Sequence, residues 1–216
     1  MLAENKYFFI PYVLFLMIGA VIMLLFSKSE LHLFINQHHN TISDTFFRYI
    51  NYLAEGMFAA LVIIALAFYK FRYSLLLFSS LIFSSIMAQF LKRVIFNEIP
   101  RPKAYFEGLA KLHFVEGVQV HSLLSFPSGH ASMAFAIFSS LAFIVKNHIA
   151  KMLLLLLAII VSWSRVHLSQ HFFIDIYFGS LLGVVCTLII FWFFDYKVKT
   201  TSLDSSIVNC LKKNKK

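Results

Sequence analysis

The sequence predicts an all-α, polytopic membrane protein built as a bundle of six transmembrane helices. Of its 216 residues, 60% are hydrophobic and 13% are charged, whereas soluble domains average about 45–50% apolar and about 25% charged residues. The mean hydropathy is +0.79, and the 26 phenylalanines are more than one water-soluble core can bury. A lipid bilayer accepts apolar side chains on every face of a helix, so a soluble globular protein is excluded.

Six runs with few or no charges define the predicted helices: residues 7–26, 52–69, 73–91, 128–145, 152–164 and 172–194. The first run is long enough for about 30 Å of helix, and because no small-residue cleavage site follows it, we expect it to be retained as a spanning helix. The fifth run would form only about 20 Å of helix. Its end at Arg165 is therefore expected inside the protein, below the membrane surface.

The segment between the first two runs, residues 31–50, is loosely amphipathic and is interrupted at residues 36–40. This pattern predicts one or two helices lying in the membrane interface. The chain divides into two parts. Residues 1–199 are expected to form the membrane domain, and residues 200–216 a basic, mobile tail.

Short basic loops at residues 70–72 and 146–151 lie on the same side of the membrane as both termini, because the number of helices between them is even. The positive-inside rule makes that side cytoplasmic, in the plasma (inner) membrane. The net charge of +9 does not indicate a nucleic-acid partner, since six of the 19 basic residues lie within the last 20 positions. They are better explained as a cytoplasmic anchor.

Polar residues that membrane helices normally avoid occur in three clusters at residues 92–102, 127–130 and 164–175. All three lie on the extracytoplasmic side by the same counting of helices. They fall at the end of the third run, at the start of the fourth, and between the fifth and sixth, so a compact bundle can bring them together. Because ionisable residues at membrane depth are energetically costly, this convergence predicts a functional site.

The cationic members of these clusters suit an oxyanion. Arg101, Arg165 and one of Lys92 and Arg93 supply permanent positive charge, and a guanidinium fork matches the geometry of phosphate oxygens.

The oligomeric state is not indicated by any of these features.

A helix that starts after Pro127 would add further donors for the anion. Proline fits the first turn of a helix, and Ser128 and Gly129 would then present a hydroxyl and free backbone N–H groups at the positive end of the helix dipole.

The third cluster contains a candidate nucleophile. His171 and Asp175 are four residues apart on a predicted helix and therefore share a face. The carboxylate can keep one imidazole nitrogen protonated while the other attacks, and His130 is then the donor of a proton to the leaving group.

Several other residues are better explained without a function. Five other histidines have neither a carboxylate nor a cysteine at the spacing typical of metal ligands. Loop or surface positions are therefore favoured over metal ligation for His38, His39, His113, His121 and His167. Gly179 and Gly183 favour helix packing within the chain over a dimer interface. Cys186 and Cys210 occupy segments that cannot easily meet, so no disulfide is expected.

The motifs resemble those of the type-2 phosphatidic acid phosphatase superfamily, which includes vanadium haloperoxidases and glucose-6-phosphatase. Its signature is Lys-x6-Arg-Pro, then Pro-Ser-Gly-His, then Ser-Arg-x5-His-x3-Asp. The second motif is complete at residues 127–130 and the third at residues 164–175. The first motif departs from the pattern, because eight residues separate Lys92 from Arg101 and seven separate Arg93 from it. Lys92 is favoured, since a longer loop can return the same ammonium to the phosphate.

The resemblance implies a membrane lipid phosphatase in which His171 forms a phosphohistidine, Asp175 orients it and His130 protonates the leaving group. It also implies phosphate binding by Lys92, Arg101, Ser128, Gly129 and Arg165, without a metal or other cofactor. The substrate class is a lipid phosphate or diphosphate: undecaprenyl diphosphate, phosphatidylglycerol phosphate, phosphatidic acid or a lipid A phosphate. Its head group would meet the extracytoplasmic site while its tail lies between helices.

Three other functions are alternatives to a lipid phosphatase. The apolar composition disfavours a haloperoxidase, and the complete set of His130, His171 and Asp175 disfavours a transporter or catalytically silent scaffold, because anion binding alone requires no nucleophile. A lipid-to-lipid phosphotransferase would share every motif and stays open.

Overall fold

The computed structural model describes residues 3–198 and 201–209, and in these ranges the regular secondary structure is entirely helical. The α-helices of these ranges are α1 (Lys6–Leu25), α2 (Lys28–Gln37), α3 (Thr41–Ile50), α4 (Gly56–Tyr69), α5 (Phe71–Phe90), α6 (Pro102–Tyr105), α7 (Gly129–Ile144), α8 (His148–His167) and α9 (Phe173–Lys197). Short 3₁₀ helices lie at Ala3–Asn5, Asn51–Ala54 and Thr201–Asp204, and a π-helical turn at Leu91–Ile95 extends α5.

The helices α1, α4, α5, α7, α8 and α9 occupy the six predicted apolar runs. Within the described residues, four helices are long and apolar enough to cross a membrane, and there are five spans if the pair Thr41–Ala54 and Gly56–Tyr69, bent by 52°, forms one. Helix α7 is apolar but has only 16 residues. The protein is therefore a multi-pass membrane protein, and the number of six spans stays a prediction.

Helix α8 is longer than the fifth apolar run and corrects the expectation of a 20 Å segment. It has 20 residues, about 30 Å of helix. Its extra length includes two buried cations, Lys151 and Arg165, each with a polar partner: Lys151 donates to Asn5, and Arg165 donates to Asn51. Pairing allows both charges inside the helix bundle. As expected, Arg165 lies within the protein.

The predicted interfacial segment forms two helices, α2 and α3, separated by the break at residues 38–40. Each helix starts with a capping box, in which the cap side chain accepts a backbone N–H and the third helical residue returns a bond to the cap. Ser27 pairs with Glu30 in this way, and Asn40 pairs with Ser43. These local bonds fix both helix starts at the polar residues between the apolar stretches.

Helix α7 is the centre of the bundle and packs against α5, α8 and α9. Its side chains are buried along most of its length, including Phe135 and Ile137. Helix α9 approaches it closely at two glycines, because a Cβ atom at Gly179 would lie 2.7 Å from the carbonyl oxygen of Ser128, and one at Gly183 would collide with that of Ser132. The two glycines therefore pack helices within the chain, as the sequence favoured.

The C-terminal segment is described only as far as residue 209, without residues 199 and 200. The 3₁₀ helix Thr201–Asp204 contacts α5, and the Asp204 carboxylate lies 3.5 Å from the ammonium of Lys70. Cys210 and the rest of the tail lie outside the described residues, and its mobility stays a prediction. Cys186 is buried in α9 with a free thiol.

Candidate active site

The three sequence clusters meet at one end of the bundle, around a cavity of about 550 Å³. Side chains from the end of α5, the start of α7, the end of α8 and the turn before α9 line it. The lining residues are Ala54, Glu55, Gly56, Ser85, Ala88, Gln89, Lys92, Arg101, His121, Gly129, His130, Met133, Arg165 and His171. Residues that are far apart in the sequence thus form one site, as the order of the helices predicted.

His171 and Asp175 form a buried pair at this cavity, each about 1% exposed. The Nδ1 atom of His171 lies 3.3 Å from Oδ2 of Asp175. The same oxygen accepts hydrogen bonds from the Phe172 backbone N–H at 2.9 Å and from the Ser125 hydroxyl at 2.5 Å. Because a carboxylate can only accept, Nδ1 of His171 carries the proton, and Nε2 is left with a free lone pair.

The environment of His171 favours the neutral ring. Burial lowers the pKa of His171 well below its ordinary value, and Arg101, Lys92 and Arg165 lower it further by charge repulsion. The imidazole that lines the cavity is therefore unprotonated at neutral pH, which is the form required of a nucleophile.

Three cations, Lys92, Arg101 and Arg165, line the cavity and are each less than 10% exposed. We call them the cavity cations. The Arg101 guanidinium donates to the backbone carbonyl of Leu123 at 2.9 Å and to the side chain of Gln170 at 3.2 Å. Fixed positive charges around one concave space form a binding site for an oxyanion.

Lys92 and Arg93 both follow the end of α5, but their side chains lie in different environments. Lys92 lies in the cavity, whereas Arg93 is exposed and donates to the Gln89 side chain at 3.1 Å. The chain forms a π-helical turn here, closed by the bond from Phe96 N–H to the Leu91 carbonyl at 2.8 Å. A π-helical turn holds more residues than an α-helical one, so it accommodates part of the irregular spacing between Lys92 and Arg101.

The segment 127–130 starts α7 as predicted, but its residues divide between two tasks. Gly129 and His130 line the cavity, and a Cβ atom at Gly129 would lie 3.9 Å from Nζ of Lys92. Ser128 is fully buried and is not among the lining residues. Its hydroxyl accepts the Ala131 N–H at 3.3 Å and caps α7. The O–H of Ser128 can still donate, but the predicted contact with phosphate requires an anion to reach this buried group.

Several residues of the site were missed in the sequence. Asn51 accepts from Arg165 at 2.8 Å, and Ser125 and Gln170 hold Asp175 and Arg101. Glu55 and His121 line the cavity itself. Of these residues, only Glu55 could have been predicted from the sequence, since an acidic residue next to an apolar run indicates a functional position. Burial lowers the pKa of His121, and Arg101 adds to the effect by repulsion.

Comparison with known families gives one extended match. The family model of the PAP2 superfamily matches residues 73–199, more than half of the chain. This range contains all three motifs and every candidate site residue from Lys92 to Asp175. None of the curated proteins compared with the chain matches it.

Two solved structures are similar to the chain. The crystal structure of Aquifex aeolicus LpxE shares 28% sequence identity with a TM-score of 0.67, and the match covers 76% of this chain and 93% of that one. The transmembrane PAP2-type phosphatidylglycerolphosphate phosphatase from Bacillus subtilis shares 22% identity with a TM-score of 0.64, covering 93% and 100%. The second match shows that this chain and the Bacillus subtilis protein share a fold.

Proposed function

The chain belongs to the PAP2 superfamily, and on that premise we propose that it is an integral-membrane phosphatase that hydrolyses the phosphate or diphosphate group of a lipid. The observation that supports this best is the pair His171–Asp175 at a cavity lined by three cations. An anion-binding scaffold needs the cations alone. A neutral imidazole, held by a buried carboxylate and facing the anion site, adds a nucleophile.

In the first chemical step, Nε2 of His171 attacks phosphorus, and the bond from phosphorus to the leaving oxygen breaks. The product is a phosphohistidine, and the positive charge that develops on the ring is stabilised by Asp175 through Nδ1–H. The negative charge on the equatorial oxygens is stabilised by the cavity cations and by the backbone N–H of Gly129.

His130 is placed to transfer the protons of the reaction. His130 lines the cavity, and in this mechanism it carries a proton when the phosphate ester is bound. The imidazolium then gives its proton to the leaving oxygen. In the second step neutral His130 takes a proton from water, the water oxygen attacks phosphorus, and the bond to Nε2 breaks, which releases phosphate and restores His171.

The cavity walls favour an amphiphilic substrate. Besides the cations, the lining includes small or apolar residues: Ala54 at the end of the 3₁₀ helix before α4, Gly56 at the start of α4, Ala88 on α5 and Met133 on α7. A head group among the cations would place its lipid tail towards these helices. The Bacillus subtilis neighbour is named for phosphatidylglycerol phosphate, and undecaprenyl diphosphate, phosphatidic acid and lipid A phosphates are the other substrates to compare.

We expect the reaction to need no metal ion. The described residues that line the cavity provide three cations and a single carboxylate, Glu55, whereas Mg²⁺ sites are built from carboxylates together with water and phosphate oxygens. The cavity cations can supply the charge stabilisation for which many phosphoryl-transfer enzymes use metal ions.

The test is phosphate release by purified protein in detergent against these four lipids, with and without EDTA. We expect one lipid to be hydrolysed in the presence of EDTA and inhibition by orthovanadate, which mimics five-coordinate phosphorus. His171→Ala should reduce phosphate release to background, because among the described residues that line the cavity His171 is the imidazole oriented by a carboxylate. Near-normal turnover of His171→Ala, or loss of activity with EDTA and recovery with Mg²⁺, contradicts the proposal.

His38→Ala is the matched histidine control for this experiment, since His38 is exposed and bonds to the backbone carbonyl of Phe34 at 2.7 Å. Mass spectrometry of the lipid products separates hydrolysis from transfer. Free phosphate indicates a hydrolase, and a phosphorylated acceptor lipid indicates a phosphotransferase.

A further inference from the structure

Three histidines converge on one aspartate beside the candidate active site, which overturns the expectation that they lack a carboxylate partner. Asp44, on α3, lies 2.8 Å from His113, 2.8 Å from His167 and 3.9 Å from His39. The candidate ligand atoms of His39, Asp44 and His113 all lie within 4.8 Å of one another. We propose that these three residues bind a divalent transition-metal ion, with Zn²⁺ as the best match, and this proposal is independent of the phosphatase activity.

The distances between the candidate ligand atoms are close to those of a tetrahedral metal site. Ligand atoms at about 2.1 Å from a tetrahedral Zn²⁺ lie roughly 3.4 Å apart. Oδ2 of Asp44 is 2.8 Å from Nε2 of His113 and 3.9 Å from Nδ1 of His39. The His39–Asp44 pair must close and the His113–Asp44 pair must open, each by about half an ångström. The rings of His39 and His113 are stacked with centroids 3.5 Å apart, so one of them must also rotate to direct its lone pair at the ion.

The carboxylate is oriented for this task by a further histidine. Oδ1 of Asp44 accepts a hydrogen bond from Nε2 of His167 at 2.8 Å, and the His167 side chain is only 5% exposed. This bond leaves Oδ2 facing His39 and His113. Hydrogen bonds of this kind to the second carboxylate oxygen orient ligands in metal sites and raise affinity.

His113 is also held in place through its backbone. The Asn36 side chain donates to the His113 carbonyl at 2.8 Å and accepts from the His113 N–H at 2.9 Å. The amide of Asn36 thus fixes the loop that carries His113 against the end of α2, next to His39. Two ligands from different segments are therefore positioned before an ion arrives.

The site is accessible from water. The side chains of His39 and His113 are 39% and 32% exposed, and both line an open groove of about 470 Å³ with Lys111 and Phe114. This leaves room for a water molecule as a fourth ligand. Two imidazoles and one carboxylate suit Zn²⁺, whereas Mg²⁺ and Ca²⁺ prefer oxygen ligands throughout.

A bound ion would join three segments that the chain otherwise connects by hydrogen bonds: the turn after α2, helix α3, and the loop that carries His113. Through His167 the ion would also be linked to the end of α8, two residues from Arg165. Binding is thus expected to stabilise the extracytoplasmic layer of the protein without adding a ligand to the catalytic cavity.

The test is equilibrium dialysis of the full chain in detergent, with its affinity tag removed and metals stripped, against micromolar ZnCl₂, followed by elemental analysis. We expect one Zn²⁺ per chain and a higher melting temperature, since an ion that binds only the folded state stabilises it. His39→Ala and His113→Ala should each weaken binding at least tenfold. His167→Ala should weaken it by roughly 10–100-fold, as for other residues that orient a metal ligand.

Two variants control for other histidines. His38→Ala changes the neighbour of His39, and His171→Ala removes the candidate nucleophile, and both should keep the full stoichiometry. His39 is exposed and its ring packs on His113 at the surface, so His39→Ala removes only this surface contact and is expected to fold. Absence of bound Zn²⁺ from the wild type, or unchanged binding in His39→Ala and His113→Ala, overturns the proposal.

Discussion

Lys92 and Arg93 are adjacent in the sequence but occupy different environments, and this difference supports the prediction that Lys92 serves the irregular first motif. Successive residues on a helix point about 100° apart, so only one of the two can face the cavity. Lys92 is 7% exposed and lines it, while Arg93 bonds to Gln89 on the outside of α5.

We predict that Lys92→Ala reduces turnover at saturating lipid by roughly 10²–10³-fold, the value of one donor that stabilises a transition state. Arg93→Ala should stay close to the wild type. Lys92→Arg should recover only part of the loss, because a planar fork does not replace a compact ammonium. Turnover of the three variants decides the matter, and a severe defect in Arg93→Ala with a mild one in Lys92→Ala would transfer the role to Arg93.

A second prediction at this scale concerns pH. Because burial and the cavity cations lower the pKa of His171, the ring remains neutral as the pH falls through about 6.5, the ordinary value for histidine. The acidic limb of kcat/KM, corrected for ionisation of the substrate, should therefore lie below pH 6.5.

Removal of one cavity cation provides the control for this pH profile. In Lys92→Ala the repulsion on a protonated His171 is smaller, so the limb should move to higher pH. An acidic limb at or above pH 6.5 in the wild type, insensitive to Lys92, would show that another group controls activity.

The contact between α7 and α9 determines how accurately the candidate catalytic groups are placed, since His130 lies at the start of one helix and Asp175 in the first turn of the other. No side chain fits between the helices at Gly183, where a Cβ atom would collide with the backbone of α7. The close approach of two backbones is a common use of glycine in membrane helices.

Gly183→Ala is predicted to force α7 and α9 apart, with a loss of about 1–3 kcal/mol in the free energy of unfolding, as for other overpacked sites, and a clear loss of turnover. Val185→Leu also adds one carbon to α9, but on a residue that is 48% exposed, and should leave both properties unchanged. Thermal melting and phosphate release test this pair of variants. A Gly183→Ala protein with the stability of the wild type would mean that the interface yields without cost.

At the level of the whole molecule, the proposed orientation places the cavity outside the cytoplasm. Lys103 is exposed near the cavity face, so a Lys103→Cys variant should react with an impermeant thiol reagent in intact spheroplasts of a Gram-negative host. Native Cys210 should react only after permeabilisation, and Cys186 should stay silent because it is buried. The reverse labelling pattern would place the site in the cytoplasm.

The sequence predicted the parts of this molecule that depend on local signals. Apolar runs located the six long helices. The pairing of His171 with Asp175 was predicted from four-residue spacing on a helix, but His171 lies before α9, which begins at Phe173. The pair forms because the Asp175 side chain turns back to the Phe172 N–H and to His171. Helix ends were predicted less accurately where a buried cation has a neutral polar partner, as Lys151 has in Asn5 and Arg165 has in Asn51. The partners Asn51, Ser125 and Gln170 were missed because their contacts with Arg165, Asp175 and Arg101 join distant segments, and a single sequence carries no signal for such contacts.

Lys92, Arg101 and Arg165 repel one another while no anion is bound, and the two carboxylates of Glu55 and Asp175 offset only part of that repulsion of three cations. An arrangement that favours a bound phosphate is therefore unfavourable for the free protein. Selection for stability alone would replace a cavity cation by a neutral residue of similar volume, whereas selection for turnover keeps it. Stability and function oppose each other at this cavity, as they do at many sites that concentrate like charges.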